Sequence, residues 1–115
     1  MTRVKLNEFV PVTLDGSGNG TAKAGPRSAR ETWFPVNVHV SANANPVKDA
    51  VCKVYVGDQA TQNNFRDATI SGSTGDSTDR VNADQIPLGQ YIFAVWSNGD
   101  ANIQAVMNIT GEREI

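Results

Sequence analysis

The sequence predicts an all-β domain, an antiparallel β-sandwich of the jelly-roll or Ig-like type with roughly seven or eight strands. Three observations point there. Short runs of period-two hydrophobicity recur along the chain, clusters of Gly, Pro, Asn and Asp separate them, and no strand–helix–strand alternation calls for a parallel sheet. At 115 residues the chain reads as one domain, 1–115, long enough to bury a core without a disulfide or a metal.

Residues 4–14 open the domain. Val4, Leu6, Val10, Val12 and Leu14 recur at even positions and give a strand one apolar face, which Glu8 interrupts. Glu8 marks an edge position or a subunit contact, and a bulge near Phe9 is the preferred explanation. Pro11 has no ladder donor, so the strand lies at a sheet edge or pairs on one side only at that point. Asp15-Gly16-Ser17-Gly18-Asn19-Gly20 reads as a mobile turn, with residues 21–24 as the short return arm. Residues 1–24 therefore form either part of the sheet or an N-terminal arm with a Gly-rich hairpin tip.

After a loop over 25–30, residues 31–41 are expected to place Phe34, Val36, Val38 and Val40 in the core, with Trp33, Asn37, His39 and Ser41 opposite. Asn43, Asn45 and Pro46 make 42–49 a loop that crosses to the other sheet. In 51–56, Cys52, Val54 and Val56 face inward while Lys53 and Tyr55 face outward. Residues 59–66 have weak helical potential, one turn at most, which Phe65 pins to the core. Thr69-Ile70-Ser71 and Asp79-Arg80-Val81 are short strands around the turn-rich 72–76. Pro87 and Gly89 mark a tight turn, and Tyr91 behind it has the position of a tyrosine corner.

Residues 88–110 read as the centre of the fold. Tyr91, Phe93 and Val95 point one way and Ile92, Ala94 and Trp96 the other, as in a central strand covered on both faces. Ile103, Ala105, Met107 and Ile109 then alternate with Gln104, Asn108 and Thr110, so one face meets water. Asn98-Gly99 tolerates the positive φ of a type I′ turn, and the two arms are expected to pair as an antiparallel hairpin.

Composition narrows the function. A net charge of -2, with no basic half, lacks the footprint of a nucleic-acid binder, and Arg27 and Arg30 are too few to supply one. Cys52 is the lone cysteine, so no intrachain disulfide forms and it reads as a small core residue. No signal-type h-region opens the chain, and no apolar run approaches the roughly 20 residues of a membrane helix. A soluble protein that does not act in a membrane is expected.

Catalytic chemistry has little to stand on. His39 is the lone histidine and has no cysteine beside it; GxxxxGK[ST], HExxH and CxxC are absent, and the carboxylates are scattered through turns. No catalytic residue, no cofactor and no enzyme activity are expected. Asp15, Ser17, Asn19 and Gly20 occupy the first, third, fifth and sixth places of a calcium loop, but its twelfth place is Pro26, which cannot chelate. The loop reads as a hairpin tip, not a metal site. Trp33, Tyr55 and Trp96 raise carbohydrate stacking, although core packing explains each; Trp33 is the best placed of them for exposure.

The order of landmarks from Gly25 onward resembles small virion structural proteins of tailed bacteriophages, of the minor tail or head-decoration type. These landmarks are Glu31-Thr32-Trp33-Phe34, Val51-Cys52-Lys53-Val54-Tyr55-Val56-Gly57, the Thr69–Asp79 turn region, Leu88-Gly89-Gln90-Tyr91 and Ala94-Val95-Trp96. The resemblance covers roughly residues 25–112, lies in turns and strands rather than a catalytic signature, and so transfers no site residues. It implies a structural protein made in the host bacterial cytoplasm and carried in the virion as an oligomeric tail or tail-tip component. Its partners would be itself and other phage structural proteins, with residues 4–14 as the assembly element. The alternatives are a capsid decoration protein on the head, and a module that recognises a host-surface glycan through Trp33 and the loops at 57–66 and 72–79.

Overall fold

The structure, a computed structural model, describes residues 2–42, 50–70, 77–80 and 85–115. Residues 43–49 of the expected crossing loop, the turn at 72–76 and the strand ends at Ser71 and Val81 lie outside these residues. The rest is all-β: β1 (Arg3–Thr13), β2 (Gly20–Ala24), β3 (Thr32–Ser41), β4 (Val51–Gly57), β5 (Phe65–Ile70), β6 (Ser77–Arg80), β7 (Tyr91–Ser97) and β8 (Gln104–Glu114). The weakly helical segment becomes a 3₁₀ turn at Gln62–Asn64. Among the described residues, no helix is long and apolar enough to cross a membrane.

The strands form two four-stranded antiparallel sheets, ordered β1-β8-β3-β6 and β2-β7-β4-β5. The pairings follow one rule. β1 pairs with β8, β2 with β7, β3 with β6 and β4 with β5, so the first half of the chain lies back along the second. Two further ladders, β3 with β8 and β4 with β7, close each sheet.

One apolar cluster joins the sheets. Leu6, Trp33, Val38, Val40, Ala105, Met107 and Ile109 enter it from the first sheet, and Ala22, Cys52, Val54, Val56, Ile92, Ala94 and Trp96 from the second. The inward faces expected for residues 51–56 and 103–109 are the observed ones. β7 is central in its sheet, and Phe93 is buried even on its outer side, as its double-faced apolar pattern requires.

The expected hairpin over 88–110 does not form, because β7 and β8 lie in different sheets. The intervening residues place positive φ at Asn98 (61°) and Asn102 (62°), not at an Asn98-Gly99 turn, and carry the chain across the end of the core. Their backbone groups bond to the β1–β2 connection instead. Gly99 N–H donates to Gly18 O at 3.1 Å, Asn102 N–H to Asp15 O at 3.2 Å, and Leu14 N–H to Ile103 O at 2.8 Å. The same crossing separates β1 from β2, so residues 21–24 are no return arm of β1 and pair with β7.

β1 itself lies in the sheet, in unbroken register with β8 from Arg3↔Glu114 to Thr13↔Gln104, and buries Leu6, with Leu14 buried just beyond its end. The edge position expected from Pro11 is observed. The bulge expected near Phe9 is not.

The irregularity sits across the sheet in β3. Its register against β8 shifts between Pro35 and Asn37, which leaves Val36 as the extra residue and reverses which parity faces the core. Trp33 (0 % exposed) and Pro35 point inward before it, Val38 and Val40 after it, and Val36 is 52 % exposed. The expected core set Phe34, Val36, Val38 and Val40 is therefore half right. Phe34 faces outward beneath the Arg3 guanidinium, 3.9 Å from its ring centre. The opposing strand permits the kink because it offers Gly111, at φ 156°, where any Cβ would overlap the Phe34 carbonyl oxygen.

Candidate interaction surface

Most residues singled out from the sequence are already committed within the fold. Trp33 and Trp96 are 0 % and 1 % exposed, so neither offers a ring to a sugar, and the expected exposure of Trp33 is overturned by the β3 register shift. Tyr55 is the only one of the three aromatics that reaches the surface. It lies on the outer face of β4 and meets Phe65 edge-on with ring centres 5.8 Å apart, so Phe65 packs outside the core rather than into it. His39 lies half-buried in β3, in register between Asn108 of β8 and Thr78 of β6. Cys52 is buried.

The calcium-like loop is likewise spoken for. Asp15 Oδ1 accepts the Ser17 N–H at 2.8 Å and the Asn19 N–H at 3.0 Å, an Asx arrangement that shapes the turn. Asn19 Oδ1 accepts the Asn98 N–H at 3.2 Å. The Asn19 and Ser17 backbone donors, in that order, hold the Asp15 carboxyl below the ordinary carboxylate range. The residues that imitate cation ligands are the residues that organise the turn.

The sequence did not single out the groove between the open edges of β1 and β2. It has a volume of about 560 Å³ and is walled by Phe9, Val10 and Pro11 on one side, Lys23 and Arg27 on the other, with Leu88 and Tyr91 at its end. Phe9 is 65 % and Leu88 49 % exposed, two of the largest uncovered apolar side chains described. Lys23 Nζ sits 4.3 Å above the Tyr91 ring, whose edge meets Phe93 at 5.9 Å between centres. The tight turn expected at Pro87–Gly89 closes with a bond from Gln90 N–H to Pro87 O at 3.1 Å and presents Leu88.

A chain of charge holds the Arg27 wall in place. Both terminal guanidinium nitrogens of Arg27 meet the Glu8 carboxylate at 3.3 Å. The Arg27 N–H donates to Glu31 Oε1 at 3.0 Å, and Arg113 Nη1 donates to Glu31 Oε2 at 2.9 Å. Glu31 is buried, yet the Arg27 backbone donor, aided by Arg113, keeps its carboxyl below the usual glutamate range against the cost of desolvation. Glu8, the misfit of the first strand, is thus an inward-facing acid at a sheet edge, matched by a base from the neighbouring loop. Only contacts distant in sequence reveal it.

Among the described residues, no group of three or more His, Cys, Asp or Glu side chains is placed to hold a metal ion. No protein-family model matches the chain, and no curated protein matches it.

Proposed function

We propose that this chain is a non-enzymatic structural protein of a tailed-bacteriophage particle, an oligomeric component of the tail or tail tip, with a jelly-roll β-sandwich as its fold. The jelly-roll reading is supported by the strand order. A chain whose first four strands lie back along its last four, then roll so that β8 meets β3 and β7 meets β4, has the connectivity of two interlocked Greek keys. The resemblance of the landmarks over residues 25–112 supports the virion role.

The single observation that carries the assembly role is a groove of mixed polar and apolar lining, rimmed by the exposed Phe9 and Leu88, beside the β1 and β2 edges. A particle subunit must stay apart until its neighbours arrive and must then meet them in one geometry. Pro11 and the inward Glu8 blunt the β1 edge against random strand pairing, while Phe9 and Leu88 leave a patch for specific contact. A glycan-binding role has less support, since Trp33 and Trp96 are buried and Tyr55 with Phe65 would have to carry it.

Gold-labelled antibody on intact particles, viewed by negative-stain electron microscopy, tests the reading. Label at the tail or its tip is expected. Label spread over the head would make the protein a decoration subunit instead. If no label appears and mass spectrometry of the purified particles finds no peptide of this chain, the virion reading fails.

A further inference from the structure

We infer that the β1/β2 groove docks a short peptide segment of another protein, one in which carboxylate side chains stand next to apolar ones. The inference rests on the assembly reading for its setting and names the kind of partner, but the contact is argued and tested on the isolated protein.

Charge supplies the first argument. The groove is lined by three charged side chains, Glu8, Lys23 and Arg27, and its one acid is already consumed. Both Glu8 oxygens meet the Arg27 guanidinium at 3.3 Å, and the Glu8 side chain is only 18 % exposed. Glu31, behind the same wall, is buried with one oxygen on the Arg27 N–H and the other on Arg113. The bases stay available. Lys23 rests its ammonium on the Tyr91 ring rather than on a carboxylate, and the Arg27 side chain is 70 % exposed, with donors to spare beyond the two that Glu8 takes. Arg30 stands exposed further along the same loop. A partner arriving here meets positive charge on a protein whose net charge is -2, and a carboxylate is the group such a surface attracts.

The uncharged part of the lining supplies the second. Phe9 and Leu88 are 65 % and 49 % exposed and stand beside the bases, in a groove whose volume of about 560 Å³ is that of an ordinary ligand site. A peptide brings both kinds of group in one short chain, carboxylates for Lys23 and Arg27 and apolar side chains to cover Phe9 and Leu88.

Other anionic partners fit less well. A nucleic acid carries a phosphate at every step and needs more bases than the few that flank this groove. An acidic glycan offers carboxylates but little apolar surface for Phe9 and Leu88.

Fluorescence anisotropy on the full chain, with three short labelled peptides, tests the site. One alternates glutamate with leucine, one glutamate with serine and one lysine with leucine. The glutamate–leucine peptide is expected to bind saturably and more weakly as salt is raised, the glutamate–serine peptide to bind about tenfold more weakly, and the lysine–leucine peptide not to bind. Lys23→Gln and Leu88→Ser, with thermal midpoints unchanged, are each expected to weaken the glutamate–leucine peptide about tenfold. Lys53→Gln, which removes an exposed base on β4 outside the groove, is expected to leave binding unchanged. A wild-type protein that binds none of the peptides would overturn the proposal, as would binding indifferent to Lys23→Gln and Leu88→Ser, or tighter binding of heparin or a single-stranded oligonucleotide through the same residues. Binding as expected in a protein missing from particles would remove the virion reading alone; peptide binding absent or indifferent to the groove in a protein found on particles would remove this site alone.

Discussion

The two crossing loops at one end of the core, 14–19 and 98–103, contrast with the groove along the β1/β2 side in what their polar and apolar groups still have to offer. In the loops, Asp15, Asn19 and the backbone groups of Gly18, Gly99 and Asn102 are spent on one another. The residues look like a ligand site in the sequence because the same side chains that coordinate ions also make Asx turns. In the groove, Phe9 and Leu88 stand in water, and Arg27 keeps most of its side chain exposed beyond its partner Glu8. Residues that are rich in potential chemistry can be exhausted by the fold, while an unremarkable phenylalanine in a strand can remain unspent.

Substitutions break the two regions in different ways. The largest loss is expected at Gly18, which has φ 76° and lies so close to the other loop that a Cβ would overlap the Gly99 carbonyl oxygen. Gly18→Ala combines an unfavourable backbone with a clash against backbone, and a loss of about 3 kcal/mol or more is expected in urea unfolding. A smaller change would mean that the two loops can separate without disturbing the core.

Next in size is Glu31, which braces the groove's Arg27 wall. Glu31→Gln is expected to cost about 1.5–3 kcal/mol, because it weakens a charge-assisted bond to Arg113 in a buried setting. The pH dependence has a definite sign. Because the folded-state carboxyl titrates below its ordinary value of 4.5, its contribution is complete above that value and is lost as pH falls through the lowered one. Wild-type protein is therefore expected to lose stability more steeply than Glu31→Gln below about pH 4.5, as read from thermal midpoints across an acid series.

The smallest effect is expected at the groove's rim. Leu88→Ser, at a half-exposed turn position, is expected to leave the unfolding free energy of the monomer within about 0.5 kcal/mol of wild type. A larger loss would show that the rim belongs to the core and that the groove, like the loops, is already committed to the fold.

Local pattern made much of the fold legible. The inward set Cys52, Val54 and Val56, the central character of β7 and the edge position of β1 each follow from alternation or from a single proline. What local pattern missed depends on partners remote in the chain. Trp33 faces inward because the ladder between β3 and β8 slips at Val36, where Gly111 makes room. Asn98-Gly99 looks like a hairpin turn until its neighbours bond to a loop some eighty residues earlier in the chain. The groove draws on β1, β2 and the turn at Leu88, so no window of sequence contains it, and Glu8 as the misfit of an alternating strand was its one visible trace.

The pairing of β1 with β8 also sets a clock. The ladder that holds the domain's first strand cannot begin until its last strand has been made, and β2 must likewise wait for β7. A topology dominated by such distant pairings folds in milliseconds to seconds rather than microseconds, since long loops must close before any contact rewards them. During synthesis Val4, Leu6, Val10 and Val12 therefore spend that interval as an apolar strand without a partner, when Glu8 is the one interruption of that face and Pro11, on the other face, the one missing ladder donor.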